Sequence, residues 1–148
     1  DATKEEMEAV LQKVNLLGFL QTQDGLQTQL LEKASNLSGG QCQRLVIARA
    51  LLKEDSKVYI FDEAASNIDV ESEELIMNVI HDLAKTKTVL LISHRLANVV
   101  KSDKIYFLKD GEIKESGKHE ELMSQNGAYR HLYESQMALE NYGKGGVA

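Results

Sequence analysis

Three stretches of this 148-residue chain carry side chains that could act together on a phosphate: Leu37-Ser38-Gly39-Gly40-Gln41, Asp62-Glu63 and His94. In the first, a serine and two glycines open a long helical pattern. Serine suits the N-cap role, and glycine lets a ligand approach the backbone closely. The N–H groups of a first helical turn, with the positive end of the helix dipole, attract anions. The stretch therefore reads as a surface offering N–H groups and a hydroxyl to a phosphate, with an ordinary Ser-Gly helix cap as the plain alternative. In the second, Val58-Tyr59-Ile60-Phe61 is a short β-prone run with both faces apolar, as in a buried parallel strand. It ends in paired acids, where α/β sheets bind ligands. One carboxylate can hold Mg²⁺ through water while the next orients a nucleophilic water; the plain alternative is a solvated acidic turn. The third, His94, follows a similar run, Thr88–Ile92. A lone histidine is more often structural, but this one ends a strand as the acid pair does, which favours function.

The elements that must position these groups follow from periodicity. A helix is expected over 3–17, with Thr3 and Glu6 as a capping box, a stripe of Met7, Val10, Leu11, Val14 and Leu17, and Gly18 as its stop. Residues 19–36 read as a loop with a short helical piece. The helix opened by Ser38 runs over 39–52 and is nearly apolar all round, so it is expected to be largely buried. A turn at 53–57 leads to the first strand. Ser66-Asn67-Ile68-Asp69 is a turn before a helix over 70–84, and a short helix is expected over 95–101. Asp110-Gly111 between 104–108 and 112–116 is a hairpin signal. Helices follow at about 118–125 and 128–140, and His81, His119 and His131 read as surface or structural residues.

Composition narrows the classes. One domain is the length prior, and 43% hydrophobic residues can build a core. A net charge of −6 disfavours nucleic acid and anionic membranes as partners. The single cysteine, Cys42, allows no internal disulfide and fits a reducing compartment. No apolar run approaches the ~20 residues that span a bilayer. The first residue is Asp1 rather than Met, as expected of an excised piece.

Taken together, these residues resemble the C-terminal part of an ABC-transporter nucleotide-binding domain. Leu37 to Gln41 resembles the signature motif, Val58 to Glu63 the Walker B strand with its catalytic glutamate, Ser66 to Asp69 the D-loop, and His94 the switch histidine. The motifs occur in the family's order, and the resemblance covers roughly residues 5–140. Asp24 to Thr28 with Glu32, Lys118-His119-Glu120-Glu121-Leu122 and Gly127-Ala128-Tyr129 are similar to the exporter type. Ala65, Asn67, Ile68 and Cys42 depart from the usual pattern without removing a catalytic group. No Gly-x₄-Gly-Lys-Ser/Thr occurs in the chain, so the loop that cradles the β-phosphate is absent from these residues.

The resemblance implies an α/β fold: the C-terminal part of a RecA-like P-loop ATPase core, with parallel strands and a C-terminal hairpin, plus part of the ABC helical subdomain. Residues 1–53 would belong to the helical subdomain, 54–142 to the core, and 143–148 to a flexible tail. It implies ATP and Mg²⁺ as cofactors and a head-to-tail dimer with a second nucleotide-binding domain. Further partners would be a transmembrane domain, at the cytoplasmic face of a membrane, and the N-terminal half that carries the P-loop. Asp62 would hold Mg²⁺ through water, Glu63 would orient or deprotonate the attacking water, and His94 would contact the γ-phosphate. Leu37, Ser38, Gly39, Gly40 and Gln41 would face the nucleotide bound by the other subunit, and Ser66 and Asp69 would lie beside the partner's P-loop. Two rivals are a soluble non-transport ABC ATPase and a non-catalytic regulatory module. In the family's sheet the P-loop strand lies between the strand ending near His94 and the one at 104–108. Without it, those two strands are expected to pair directly, to recruit a second copy, or to be loose.

Overall fold

The computed structural model describes residues 2–53 and 55–144, with side chains through 142. It divides into two compact units, 1–92 and 93–148.

The first unit begins with helix α1 (Lys4–Lys13). Its start is the expected capping box: Thr3 Oγ1 accepts the Glu6 N–H at 3.2 Å, and the Thr3 N–H donates to Glu6 Oε2 at 2.6 Å. Its end differs from expectation. Asn15, with φ 51°, turns the chain just past the C-cap Val14, and Gly18 lies inside the next helix, α2 (Leu17–Gln21). Asparagine tolerates the left-handed region better than most residues, so it can stop a helix where glycine was expected. Two single 3₁₀ turns, Gly25–Gln27 and Glu32–Ala34, follow.

Helix α3 (Gly39–Leu51) starts at Ser38 as its capping pattern requires. It is less buried than its composition suggests: Gly40, Ile47 and Ala48 are buried, but Val46 is exposed. Strand β1 (Val58–Asp62) and strand β2 (Thr88–Ile92) pair in parallel, with Ile60 opposite Leu90 and Asp62 opposite Ile92. Helix α4 (Val70–Ala84) connects them, since parallel neighbours need a crossover. Tyr59 and Phe61 point into a core shared with Val10, Leu11, Val14, Leu16, Leu20, Ile47, Ala48, Ile76, Met77 and Ile80. Here the expected two-sided burial of β1 is corrected. The opposite face is exposed, with Val58 at 57% and Ile60 at 65%, because the helices of this unit cover one side of the pair only.

The second unit opens with a single 3₁₀ turn, Leu96–Asn98, where a longer helix was expected. Strands β3 (Ile105–Lys109) and β4 (Glu112–Gly117) form an antiparallel hairpin. Its turn is Asp110-Gly111, both at positive φ (53° and 77°), the geometry that favours this dipeptide. Helices α5 (His119–Ser124) and α6 (Ala128–Lys144) follow. α6 takes in residues 143 and 144 of the expected tail, whereas 145–148 lie outside the described residues.

The Glu115 carboxylate accepts the Ala128 N–H at 2.6 Å and the Tyr129 N–H at 3.3 Å, which caps α6. Gly127 leaves room for this cap, since a Cβ would sit 2.5 Å from Glu115 Oε1 and the carboxylate would have to shift. Tyr129 and Leu122 are wholly buried. The Tyr129 hydroxyl lies 2.9 Å from His119 Nδ1, which gives that histidine a structural partner. Among the described residues the strands form two separate sheets, β1–β2 and β3–β4; of the three outcomes expected for 88–92 and 104–108, direct pairing is not the one seen.

Candidate functional site

The start of α3 is built by reciprocal bonds. Ser38 Oγ accepts the Gln41 N–H at 3.1 Å, and Gln41 Oε1 accepts the Ser38 N–H at 2.9 Å. Ser38 and Gly39 are exposed, while Leu37 and Gly40 are buried. The two glycines therefore do different jobs. Gly39 is on the surface, where only the Ile68 side chain comes within van der Waals reach, at 3.9 Å. Gly40 faces α4, and a Cβ there would lie 2.5 Å from the Cβ of Ser72 and 3.1 Å from Asp69 Oδ2. Its lack of a side chain serves packing within this chain rather than approach of a ligand.

Asp69 joins the same cluster from the other side. It is the N-cap of α4, and its Oδ1 accepts the Ser72 N–H at 2.8 Å. Hydrogen bonds from the Ser72 backbone and then its hydroxyl, with a smaller contribution from the Arg44 charge, hold the Asp69 carboxyl below the usual carboxylate range. Arg44 Nε donates to the Gly40 carbonyl at 3.3 Å, and its Nη1 donates to the Asn15 carbonyl at 3.0 Å. The signature stretch and the Ser66–Asp69 turn are thus joined in one body. Ser72 and Arg44, which make the joint, belong to none of the motifs. The signal for Ser72 in the sequence is a polar residue on the inward side of a helix, one turn past its cap.

Asp62 and Glu63 stand at the carboxyl end of β1. Asp62 is exposed and Glu63 half-buried. The Glu63 N–H donates to the Ile92 carbonyl at 3.0 Å, which extends the parallel ladder by one step. Glu63 then turns left-handed, with φ 52°. That conformation costs a residue with a Cβ roughly 1–2 kcal/mol and persists where the surroundings enforce it. Here the Glu63 carbonyl accepts both the Ser66 N–H at 3.1 Å and the Ser66 hydroxyl at 2.9 Å. Ala64 and Ala65 are buried beneath this turn.

His94 is exposed and lies two residues beyond β2 in the chain, in the second unit. Its carbonyl accepts Gln136 Nε2 at 2.8 Å, from α6.

The ABC transporter family profile matches residues 2–66. An ABC transporter ATP-binding protein of Haemophilus influenzae is 51% identical over 140 residues, 95% of this chain and 25% of that protein. Over these residues the chain is similar to the ATP-binding proteins of ABC transporters. An ATP-dependent lipid A-core flippase of Mannheimia succiniciproducens is 45% identical over 135 residues, 90% of this chain and 23% of the flippase. In structure, a bacterial Atm1-family ABC exporter with ATP bound superposes with a TM-score of 0.82 at 31% identity, covering 91% of this chain and 24% of that one. The chain thus spans about a quarter of the length of the relatives it matches. The fold is that of an ABC exporter nucleotide-binding domain, α/β with a parallel pair, a hairpin and packed helices.

The donor set suits a nucleotide phosphate with its metal. Among the described residues no group of three or more His, Cys, Asp or Glu side chains converges. Mg²⁺ does not need one, since it is commonly held by one or two carboxylates, water and substrate phosphates. Exposed Asp62 fits that use. No helix among the described residues is long and apolar enough to cross a membrane.

Proposed function

We propose that this chain is part of the ATP-hydrolysing machinery of an ABC exporter, acting at the cytoplasmic face of a membrane. The observation that carries the reading is the presence in one unit of three features: a capped helix start with exposed Ser38 and Gly39, Asp69 packed against it, and Asp62-Glu63 ending a parallel strand.

Phosphoryl transfer is mainly positioning and charge stabilisation, and each residue has a place in that task. Asp62 would hold Mg²⁺ through water, and the metal would neutralise charge on the phosphate oxygens. Glu63, aimed by its left-handed turn, would orient the attacking water or take its proton. His94 would donate to the γ-phosphate. Ser38 and Gly39 would meet the γ-phosphate bound by a second nucleotide-binding domain in a head-to-tail dimer, with Leu37, Gly40 and Gln41 holding that surface in shape. Ser66 and Asp69 would form the edge beside the partner's P-loop. One chain would in this way supply parts to two sites.

The test is Glu63→Gln in the complete transporter. The amide keeps the shape and loses the base, so hydrolysis should fall by about 10²–10⁴-fold while ATP binding remains. Near-normal steady-state turnover would refute the assignment. The 148 residues by themselves contain no P-loop sequence, so they should neither hydrolyse ATP nor bind it tightly. Micromolar affinity by calorimetry would contradict this.

A further inference from the structure

The segment carrying His94 is held from α6. Gln136 Nε2 donates to the His94 carbonyl at 2.8 Å, and Gln136 Oε1 accepts the Leu96 N–H at 2.9 Å. A single side-chain amide thus bridges the carbonyl of one residue and the N–H of the next but one, as a neighbouring strand would. One turn further along α6, Glu140 Oε1 meets Arg95 Nη2 at 3.1 Å. That pair is about one-third exposed on each side (35% and 38%) and contributes little by itself. Inside the segment, Ser93 Oγ accepts the Arg95 N–H at 3.1 Å. Leu96 is buried and Gln136 half-buried, while His94 stays exposed.

We propose that Gln136 is a positioning residue for His94: it clamps the backbone on both sides of the histidine so that the exposed imidazole is presented in one orientation. The chemistry of the amide makes the clamp specific. A carboxamide offers a donor to a carbonyl and an acceptor to an N–H at once, from two separate atoms of one planar group. A glutamate at 136 keeps the bond to Leu96 but sets an anion against the His94 carbonyl, and a methionine keeps the volume and loses both bonds. The inference rests on the reading of His94 as a phosphate-contacting group.

The test uses Gln136→Glu and Gln136→Met in the complete transporter. Turnover at saturating ATP should fall about tenfold, the loss expected when a catalytic group is no longer held in place, and KM for ATP should move by less than about twofold. In a His94→Ala background the same substitutions should cost nothing further, because nothing remains to be positioned. Hydrogen exchange should show faster labelling of residues 94–96 in Q136M, with the rest of the domain unchanged. Wild-type turnover in both variants overturns the proposal, and so does an equal loss in the His94→Ala background, which would mean general damage. Two outcomes separate the clamp from the reading beneath it. Full-rate hydrolysis by H94A overturns the role of His94 and the proposal with it. Impaired H94A with unchanged protection at 94–96 in Q136M overturns the clamp alone.

Discussion

The two strand ends of the parallel pair carry functional candidates that are held in opposite ways. After β1, the Glu63 carbonyl is tied to Ser66, three residues on. After β2, the His94 carbonyl is tied to Gln136, forty-two residues on. The first arrangement is a turn that its own sequence can form, and it is repeated nearby at Ser38–Gln41 and Asp69–Ser72, each also three residues apart. The second exists only after α6 has docked on the turn at Leu96–Asn98. A local tie costs little chain entropy to close, whereas a distant one depends on the whole unit being folded. Residues of the first kind should keep their geometry when neighbouring elements loosen, and His94 should not.

The comparison breaks most visibly at Gly40, where the first unit does rely on distant packing. Gly40→Ala would drive a Cβ into Ser72 and should destabilise the protein by about 1–3 kcal/mol, read as a lower denaturant midpoint, with Gly39→Ala having less effect. Equal midpoints for the two variants would show that α3 and α4 are not in close contact.

Ser66→Ala gives a smaller effect and sharpens the local side. It removes one of two bonds to the Glu63 carbonyl, worth about 1 kcal/mol net, so turnover of the complete transporter should fall several-fold with little change in KM. Ser66→Thr should restore most of it. A Ser66→Ala protein with wild-type turnover would show that the backbone bond alone fixes the turn.

The smallest effect belongs to the cap at Asp69, whose carboxyl is held below the usual carboxylate range because Ser72 donates to its charged form. A depressed acid stabilises the fold above its unfolded pKa and loses that contribution as the pH falls through the folded one. Stability should therefore decline below about pH 4 more steeply in the wild type than in Asp69→Asn, which keeps an acceptor and does not titrate. Parallel acid-unfolding curves for the two proteins would remove the cap from the account.

Much of the site was legible because its chemistry lies in short runs. The caps at Thr3 and Ser38, the hairpin turn at Asp110-Gly111 and helix α4 all stand where spacing puts them. Each of these rests on bonds across a few residues, and residue type alone decides them. Gln136 was less legible. It lies seven residues beyond buried Tyr129 and so shares its helical face, but a glutamine on an inward stripe does not announce what it will meet.

The sequence by itself determined the α/β order of elements, the capped start of α3 and the acid pair at the end of a strand. The tertiary structure decided what spacing cannot encode. Val58 and Ile60 are as apolar as Tyr59 and Phe61, yet only the latter pair is buried, because burial depends on where α3 and α4 lie and not on the strand's own composition. Gly40 is a glycine because Ser72 of another helix occupies the place of its side chain. The backbone around His94 takes its shape from α6. Local hydrogen bonds are set by the residues that make them, and contacts across thirty or forty residues are set by the packing of whole elements.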